Sequence, residues 1–436
     1  MRKFSEKIAM WLAPVATKFS NQRHLVAIRD GFIAVMPLVI VGSLFVLINN
    51  VILDSGNGLL KDLGNFDRYK EIGLSVYYGT LGFLSIFLAF GVAYKLSKTY
   101  NLEGLSTGFI AVAAVLALMP TTVTSGDVSI GGVFSETYTS AIGLFVALIG
   151  SILATELLKV LSKKDKLKIK MPDSVPPAVS KSFNILIPAC IVLIVFALVS
   201  FLCIEFLGMN VYEIINKIIQ TPLQAVFQGL PGIVMILFFQ NLLWSFGLHG
   251  AFILSPITEP TYMTAIQENM NALQAGLAIP NIVTKPFVDA FCFSGGGGFT
   301  IGLIIAIFIA SKREDHRSIA KLGVVPGLFN INEPIVFGLP IVLNPIFMVP
   351  LVLVPVVNLI IAYLATAAGL IEKTIAAVPW TTPPIISAYL ATGGDWKAAV
   401  LSALLIVLSV VLYMPFVIAA NREINEVAVD KEINNI

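Results

Sequence analysis

The chain has 436 residues, of which 57% are hydrophobic and only 12% are charged, and its mean hydropathy is +0.89. Soluble domains carry about 25% charged residues, so this composition excludes an ordinary soluble domain. The apolar residues form long runs between short charged clusters, which is typical of helices that cross a hydrocarbon layer about 30 Å thick. A β-barrel would show alternating segments of about ten residues instead. We therefore predict an all-α polytopic membrane protein.

Charge and cysteine content exclude several other classes. The net charge is only +2 and no basic stripe is present, so we expect no nucleic-acid partner. Cys190, Cys203 and Cys292 all lie in apolar stretches, and an odd number of cysteines argues against a disulfide framework. The chain has no CxxC pair and no metal-ligand spacing. We expect neither a metal nor a cofactor.

The spans are predicted from the apolar runs. About ten transmembrane helices are expected, together with re-entrant hairpins and interfacial amphipathic helices. The clearest runs cover residues 31–52, 77–94, 104–119, 141–161, 183–204, 225–244, 300–310, 341–370 and 396–420. Residues 207–220 have one apolar and one polar face, which predicts an amphipathic helix at the membrane interface.

Four regions follow from this pattern. Residues 1–30 contain an interfacial helix, with a cleaved signal peptide as the alternative. Residues 31–180 form an N-terminal transmembrane half with a cytoplasmic linker, and residues 181–420 form a C-terminal transmembrane half. Residues 421–436 form a polar tail.

Lysine and arginine counts predict the orientation. Residues 1–30 hold six of these residues and residues 159–181 hold seven, whereas residues 54–71 hold three and residues 121–138 hold none. Positive residues are enriched in cytoplasmic loops. We therefore expect the N-terminus, the linker and, by the parity of the spans, the C-terminus to be cytoplasmic.

Two interrupted segments point to the functional site. Residues 245–294 are broken by Pro256, Pro260, Pro280 and Pro286, and residues 323–340 are rich in glycine and proline. Irregular backbone at membrane depth is tolerated only against protein or a water-filled cavity, and in transporters such segments form the substrate site. We expect both segments to line a cavity in the C-terminal half.

Polar residues in and beside these segments are the candidate ligands. His249 is flanked by glycines and is preceded by Asn241 and Trp244; it would exchange protons and form hydrogen bonds in the cavity, or alternatively bond a neighbouring helix structurally. Glu333 follows Asn332 at a helix break. A carboxylate in the membrane costs about 2.5–3.5 kcal/mol, which substrate hydroxyls would offset; the alternative is a carboxylate that caps a broken helix.

Two further motifs complete the candidate site. Ser294 and Gly297 belong to FSGGGG, whose glycines allow close backbone approach; a nucleotide loop is disfavoured because no GxxxxGK[ST] follows. Trp380 and Trp244 are candidate platforms on which a sugar ring could stack, with membrane-interface anchoring as the alternative.

The stretches AIRDGFIAVMPLVIVGS, LLWSFGLHG, FSGGGG and INEPIVFGLP occur in this order along the chain. Together they resemble the lactose/cellobiose family of bacterial phosphotransferase-system (PTS) enzyme IIC (EIIC) proteins. The resemblance covers residues 20 to 415, and within the family the chain is most similar to cellobiose and diacetylchitobiose carriers.

This resemblance implies a function and partners. Such proteins carry a β-linked disaccharide inward through the bacterial cytoplasmic membrane, and work as homodimers through the N-terminal half. Enzyme IIB (EIIB), phosphorylated on cysteine through enzyme IIA (EIIA), then phosphorylates the 6-hydroxyl of the bound sugar. By match to the motifs, Glu333 and His249 would bind this hydroxyl, with Glu333 as proton acceptor.

No EIIA or EIIB domain is fused to this sequence, so both are expected as separate chains. The protein itself has no phosphoryl-carrying residue in this reading and would phosphorylate sugar only together with EIIB. A proton-coupled disaccharide symporter is the alternative, because it uses the same intramembrane acid, histidine and aromatic residues.

Overall fold

The structure is a computed structural model and describes residue 18 and residues 21–55, 58, 60–125, 128–169, 183–339 and 341–433. Most of the segment that should form the interfacial helix of residues 1–30 lies outside the described residues, as does the proline-rich part of the linker. The described chain is mostly helical and contains almost no strand, which confirms the predicted fold class. A small antiparallel hairpin, β1 (Thr122–Ser125) and β2 (Val128–Gly131), is its one sheet.

The N-terminal half is built around one apolar helix. Its helices are α1 (Arg23–Leu47), α2 (Lys70–Gly79), α3 (Leu84–Thr99), α4 (Gly104–Ala117), α5 (Glu136–Thr139) and α6 (Leu144–Ser162). Helix α3 packs against α1, α4 and α6. Leu84, Leu88, Val92 and Leu96 recur every fourth residue, so they share one face of α3, and all are fully buried.

A glycine sets the spacing between α1 and α3. A Cβ atom at Gly31 would lie 2.8 Å from Cγ2 of Val92, closer than carbon atoms approach each other. The two helices can therefore pack this closely only because residue 31 has no side chain. This packing also fixes the position of the preceding turn of α1, which contains Arg29.

The C-terminal half contains both long helices and short, interrupted ones. Its helices are α7 (Leu186–Leu207), α8 (Val211–Ile215), α9 (Thr221–Gln228), α10 (Leu230–Ser245), α11 (Gly250–Gln274), α12 (Lys285–Cys292), α13 (Thr300–Ala310), α14 (Glu314–Leu328), α15 (Glu333–Gly338), α16 (Pro345–Ala367), α17 (Ile386–Ala391) and α18 (Trp396–Ile433). Helices α10, α13, α16 and α18 pack around a common core.

Several helices are long and apolar enough to cross a membrane. Six such helices occur among the described residues, or seven if the pair Val211–Gln228 and Leu230–Ser245 forms one bent span. The bend between these two helices is 85°, and the first helix of the pair begins in the segment predicted to be an interfacial amphipathic helix. The multi-pass membrane class is thus confirmed, whereas a count of ten spans is not.

Helix α11 differs from the sequence-based expectation. Residues 250–274 form one continuous helix that contains Pro256 and Pro260, although these prolines were expected to break the chain. Proline removes a backbone donor, which leaves the carbonyl four residues earlier without its partner. The hydroxyl of Ser255 donates to the carbonyl of Phe252 at 3.0 Å and replaces the bond that Pro256 cannot make.

Polar contacts join the two halves along α11. The hydroxyl of Thr264 donates to the carbonyl of Ala141 at 3.1 Å. The hydroxyl of Tyr77 lies 2.9 Å from Oδ1 of Asn271 and accepts a hydrogen bond from Gln267 at 2.5 Å. Helix α11 therefore belongs to the C-terminal half in sequence but contacts the N-terminal half along its later turns.

Candidate functional site

A cavity of about 270 Å³ lies between α1 and the C-terminal half. The C-terminal walls come from the end of α10, from α11 and α12, and from three loops, which contain the glycine-rich motif (residues 293–298), the NINEP motif (residues 330–334) and the WTTPP motif (residues 380–384). The wall from α1 is formed by Arg29, Phe32, Ile33, Met36, Val39 and Ile40. Apolar side chains and a few charged groups share the lining, as in sites for ligands with both apolar and polar surfaces.

His249 occupies the turn between α10 and α11. Gly247 precedes it with φ at +78°, a conformation that reverses the chain and that glycine adopts readily. Nδ1 of His249 accepts a hydrogen bond from the backbone N–H of Phe252 at 3.2 Å, so His249 caps α11. A neutral ring then carries its proton on Nε2. Its structural and functional interpretations are therefore compatible.

Aromatic rings surround this histidine. Its ring centroid lies 4.4 Å from that of Trp244 and 3.7 Å from that of Phe252, and the Phe252 ring is nearly parallel to the imidazole at 8°. All three side chains line the cavity. The imidazole is thus held in one orientation by rings on the wall of the cavity.

Asn330 ties the three loops together. Its Nδ2 donates to the carbonyls of Trp380 and Thr382, at 2.6 and 3.0 Å. Its Oδ1 accepts a hydrogen bond from the backbone N–H of Gly295 at 2.9 Å. Asn330 itself has φ of +62°, a left-handed conformation that asparagine tolerates better than most residues. One side chain therefore joins motifs that are far apart in the sequence.

Asn332 and Glu333 extend this junction. Nδ2 of Asn332 donates to the carbonyl of Gly297 at 2.7 Å. A Cβ atom at Gly296 would lie 2.7 Å from that of Asn332, and one at Gly297 would lie 2.8 Å from Nε1 of Trp244. Both glycines are therefore needed for close approach. Glu333 begins α15 and lines the cavity with an exposed side chain.

Six of the eight candidate residues line the cavity, namely His249, Glu333, Asn332, Trp244, Trp380 and Gly297. Asn241 and Ser294 do not. Asn241 is fully buried, where its Oδ1 accepts from the backbone N–H of Gly298 at 2.8 Å and its Nδ2 donates to the carbonyl of Leu237. Ser294 is buried beside the glycines. Both residues belong to the support behind the wall.

The two tryptophans differ in exposure. The Trp380 side chain is 48% exposed, whereas that of Trp244 is only 4% exposed. Trp380 therefore offers an open aromatic face on the cavity. Trp244 contributes mainly by packing against His249 and the glycine-rich loop.

A second charged group in the cavity was not singled out from the sequence. Nζ of Lys285 lies 2.5 and 2.6 Å from the two carboxylate oxygens of Asp289, one turn along α12. Glu259 of α11 also lines the cavity, and its buried Oε2 has no hydrogen-bond partner among the described residues. Two features of the sequence could have indicated this group. Lys285 and Asp289 are four residues apart, and the acidic residue Glu259 lies between two prolines.

Arg29 was also missed. It belongs to the AIRDGF stretch that carries part of the family resemblance, but a basic residue near the start of a span is ordinarily counted as an interface anchor. Its position on the cavity becomes visible only when α1 is packed against the C-terminal half.

The fold and the site together define a class of protein. A polytopic bundle with interrupted helices surrounds a cavity lined by acids, a histidine and aromatic rings, which is the arrangement of a membrane transporter for a polar solute.

Comparison with protein families identifies the kind of transporter. Residues 29–355 match the model of the phosphotransferase system EIIC family, and the chain belongs to that family. It is therefore the sugar-transporting EIIC component of a PTS. EIIC components work together with EIIB and EIIA components, and in some relatives EIIC and EIIB form one chain.

Relatives and a solved structure agree with this assignment. The oligo-beta-mannoside-specific EIIC component of Bacillus subtilis is 38% identical over 96% of this chain and 94% of its own length. The cellobiose-specific EIIC component of Geobacillus stearothermophilus is 36% identical over 95% and 94%. The crystal structure of ChbC, the IIC component of an N,N'-diacetylchitobiose-specific PTS, matches with a TM-score of 0.90 and 32% identity, over 97% of this chain and 98% of that one.

Proposed function

We propose that this EIIC component carries a β-linked disaccharide of the cellobiose or diacetylchitobiose type inward and presents its 6-hydroxyl group to phosphorylated EIIB. The main support for this proposal is that His249, Glu333 and Trp380, which are far apart in the sequence, line the same cavity. The names of the cellobiose-specific relative and of the diacetylchitobiose-specific structure support a β-linked disaccharide.

The cavity offers matching groups for such a ligand. The exposed ring of Trp380 suits the apolar C–H face of a sugar, and the hydroxyl groups at the sugar's edge suit Glu333, Asn332 and Nε2 of His249. A hydrogen bond to a charged group contributes about 1.5–3 kcal/mol. Glu333 would therefore both orient the accepting hydroxyl and bind it.

Glu333 also has the chemistry of a proton acceptor. Phosphoryl transfer requires the accepting hydroxyl to be positioned and its proton to be removed. In the proposed step the P–S bond of phosphocysteine on EIIB breaks, a P–O bond to the sugar forms, and the hydroxyl proton moves to the Glu333 carboxylate. The sulfur leaves as a thiolate on EIIB.

Membership of the EIIC family does not support the proton-coupled symporter. The two mechanisms differ in the form in which the sugar accumulates. A PTS component delivers sugar phosphate, whereas a symporter delivers unmodified sugar.

Uptake into proteoliposomes tests the proposal. Radiolabelled cellobiose, diacetylchitobiose and β-mannobiose would be supplied outside, with phosphorylated or unphosphorylated EIIB enclosed. We expect sugar phosphate to accumulate only with phosphorylated EIIB, and only for the preferred sugar. Accumulation of unmodified sugar that follows an imposed proton gradient would contradict the proposal, and so would failure of all three sugars to bind.

A further inference from the structure

Arg29 is a cation that the N-terminal half places in the cavity. Its Cζ lies 5.7 Å from the centroid of the Phe252 ring, within the range of a cation–π contact. The Phe252 ring also stacks on His249. Arg29 therefore reaches the aromatic cluster around the proposed sugar-hydroxyl ligand, although α1 contributes none of the other polar groups of that cluster.

The guanidinium keeps donors available. Its Nε and Nη2 donate to Oδ1 of the neighbouring Asp30, at 3.0 and 2.8 Å. Nη1 makes no hydrogen bond within the described part of the chain. Lys285, the other cation on the cavity wall, is instead held between both oxygens of Asp289. These two bonds leave Lys285 one further N–H group, whereas both N–H groups on Nη1 of Arg29 are without a partner in the described part of the chain.

The phosphoryl group needs such a cation. On the C-terminal wall the carboxyl groups of Glu333 and Glu259 remain beside the Lys285–Asp289 pair, whereas a transferring phosphoryl group carries negative charge on three equatorial oxygens. Arginine binds such oxygens with a planar set of donors. Without a cation, the carboxylate that accepts the proton would repel the group that must approach it.

The position of Arg29 along α1 suits a donor that arrives from the cytoplasm. Arg29 lies six residues after the start of α1 at Arg23, which corresponds to about 9 Å of helix. Near this start, Nε2 of His24 lies 2.8 Å from Glu156, close to the end of α6 and to the basic linker. Arg29 is therefore on the side of the membrane that the charge pattern predicts to be cytoplasmic.

We propose that Arg29 binds the phosphoryl group during its transfer from EIIB to the sugar, an inference that rests on the function proposed above. The N-terminal half then supplies the cation and the C-terminal half holds the accepting hydroxyl. Transfer requires the two halves to adopt the arrangement seen here, with Arg29 against Phe252. Sugar that is bound while the halves are apart is not phosphorylated.

The test compares Arg29→Gln, Arg29→Lys and Arg29→Ala with the wild type in proteoliposomes. Arg23→Gln is the matched control, because Arg23 lies on the same helix but contacts Tyr100 outside the cavity. Two quantities are measured for each protein, the sugar Kd and the turnover of sugar phosphate with phosphorylated EIIB. Arginine residues that stabilise phosphoryl transfer contribute about 10³-fold or more in turnover.

We expect Arg29→Gln to lose about 10³-fold in turnover while its sugar Kd changes less than about threefold, since Gln removes the charge that binds the phosphoryl group and leaves the proposed sugar ligands in place. Arg29→Lys should recover part of the turnover because it restores the charge without the planar donors. Added guanidinium should raise the turnover of Arg29→Ala, which a purely structural loss would not allow. The control should behave as the wild type.

The outcomes separate the two proposals. Turnover of Arg29→Gln within threefold of the wild type would overturn the role of Arg29 and leave the proposed function intact. Equal losses in sugar affinity and turnover, with no guanidinium rescue, would make Arg29 a structural residue and overturn the inference as well. A wild-type protein that binds sugar but forms no sugar phosphate would overturn the proposed function and this inference together.

Discussion

At the residue scale, Glu333 has the most specific proposed role. It occupies the first turn of α15 and faces the cavity. The N-cap residue of α15 is Asn332, and it makes no capping hydrogen bond through its side chain; a position in the first turn still fits both capping and proton acceptance by Glu333. The two roles can be distinguished by a substitution that preserves the shape of the Glu333 side chain but removes its ability to accept a proton.

Glu333→Gln provides this change. Glutamine keeps the size and one carbonyl acceptor, so a charge-assisted hydrogen bond becomes a neutral one, and we expect the sugar Kd to change less than about tenfold, which corresponds to a loss of about 1 kcal/mol. Turnover with phosphorylated EIIB should fall about 100-fold or more, since general base catalysis contributes at least that factor. Isothermal titration and sugar-phosphate formation measure the two effects. Wild-type turnover in this variant would remove Glu333 from the chemistry.

Candidate residues were recognised from sequence where polarity was out of place. His249 and Glu333 were found because an ionisable group in an apolar stretch has few structural explanations. Asn241 was selected for the same reason, yet it bonds the backbone of Gly298 behind the wall. Polarity identifies the neighbourhood of a site, but the direction of a side chain depends on helix packing. Arg29 was overlooked because it reaches the cavity through a contact with Phe252, which belongs to the other half of the chain.

At the scale of elements, the cavity wall depends on the junction of three loops. Asn330 of the NINEP loop supplies hydrogen bonds to the glycine-rich and WTTPP loops. These bonds hold the three loops together at the wall. Each loop could be recognised as irregular from the sequence, but their convergence could not, because it involves contacts between residues 35 to 52 positions apart.

Replacing this asparagine should loosen the wall. Asn330→Ala removes three hydrogen bonds and places alanine in a left-handed conformation, so the free energy of unfolding should fall by about 2 kcal/mol or more. Sugar affinity should fall with it, because Trp380 loses its anchor. Thermal unfolding in detergent and the sugar Kd are the measurements. Asn65→Ala, in an exposed loop, is the control, and equal effects of both substitutions would contradict the role of the junction.

Helix α11 shows why the local pattern was misleading. Two prolines and several polar residues predicted interrupted chain, since proline usually ends a helix. The serine before Pro256 supplies the missing donor locally, and the bilayer offers no water to compete for the freed carbonyl. A proline preceded by a hydroxyl residue in an apolar run is therefore compatible with continuous helix.

At the scale of the whole molecule, the cavity lies between α1 and the helices packed around α13 and α16. One core is centred on α3 and another on α13 and α16, and α11 contacts both. A third core joins α7 and α8 to α4 and α6, so the first two helices after the linker pack against the N-terminal half. The homodimer and the domain boundary predicted near residue 180 remain predictions, as does the cytoplasmic position of both termini.

The orientation can be measured because the charge pattern has a structural counterpart. The hairpin β1–β2 falls in residues 121–138, which contain no Lys or Arg, and Val128 on it is 61% exposed. Lys166 belongs to the basic linker that follows α6. The bond between His24 and Glu156 places the start of α1 beside the end of α6, so α1 begins on the linker side. The hairpin and the linker should then lie on opposite sides of the membrane.

Single cysteines test this arrangement in a protein whose Cys190, Cys203 and Cys292 are replaced by alanine. Val128→Cys should react with a membrane-impermeant maleimide added to intact cells, because positive loops stay in the cytoplasm and neutral ones do not. Lys166→Cys should react only after the cells are opened. Retained sugar uptake shows that each variant is folded. Labelling of Lys166→Cys in intact cells would reverse the orientation, and phosphorylated EIIB would then have no access to the Arg29 side of the cavity.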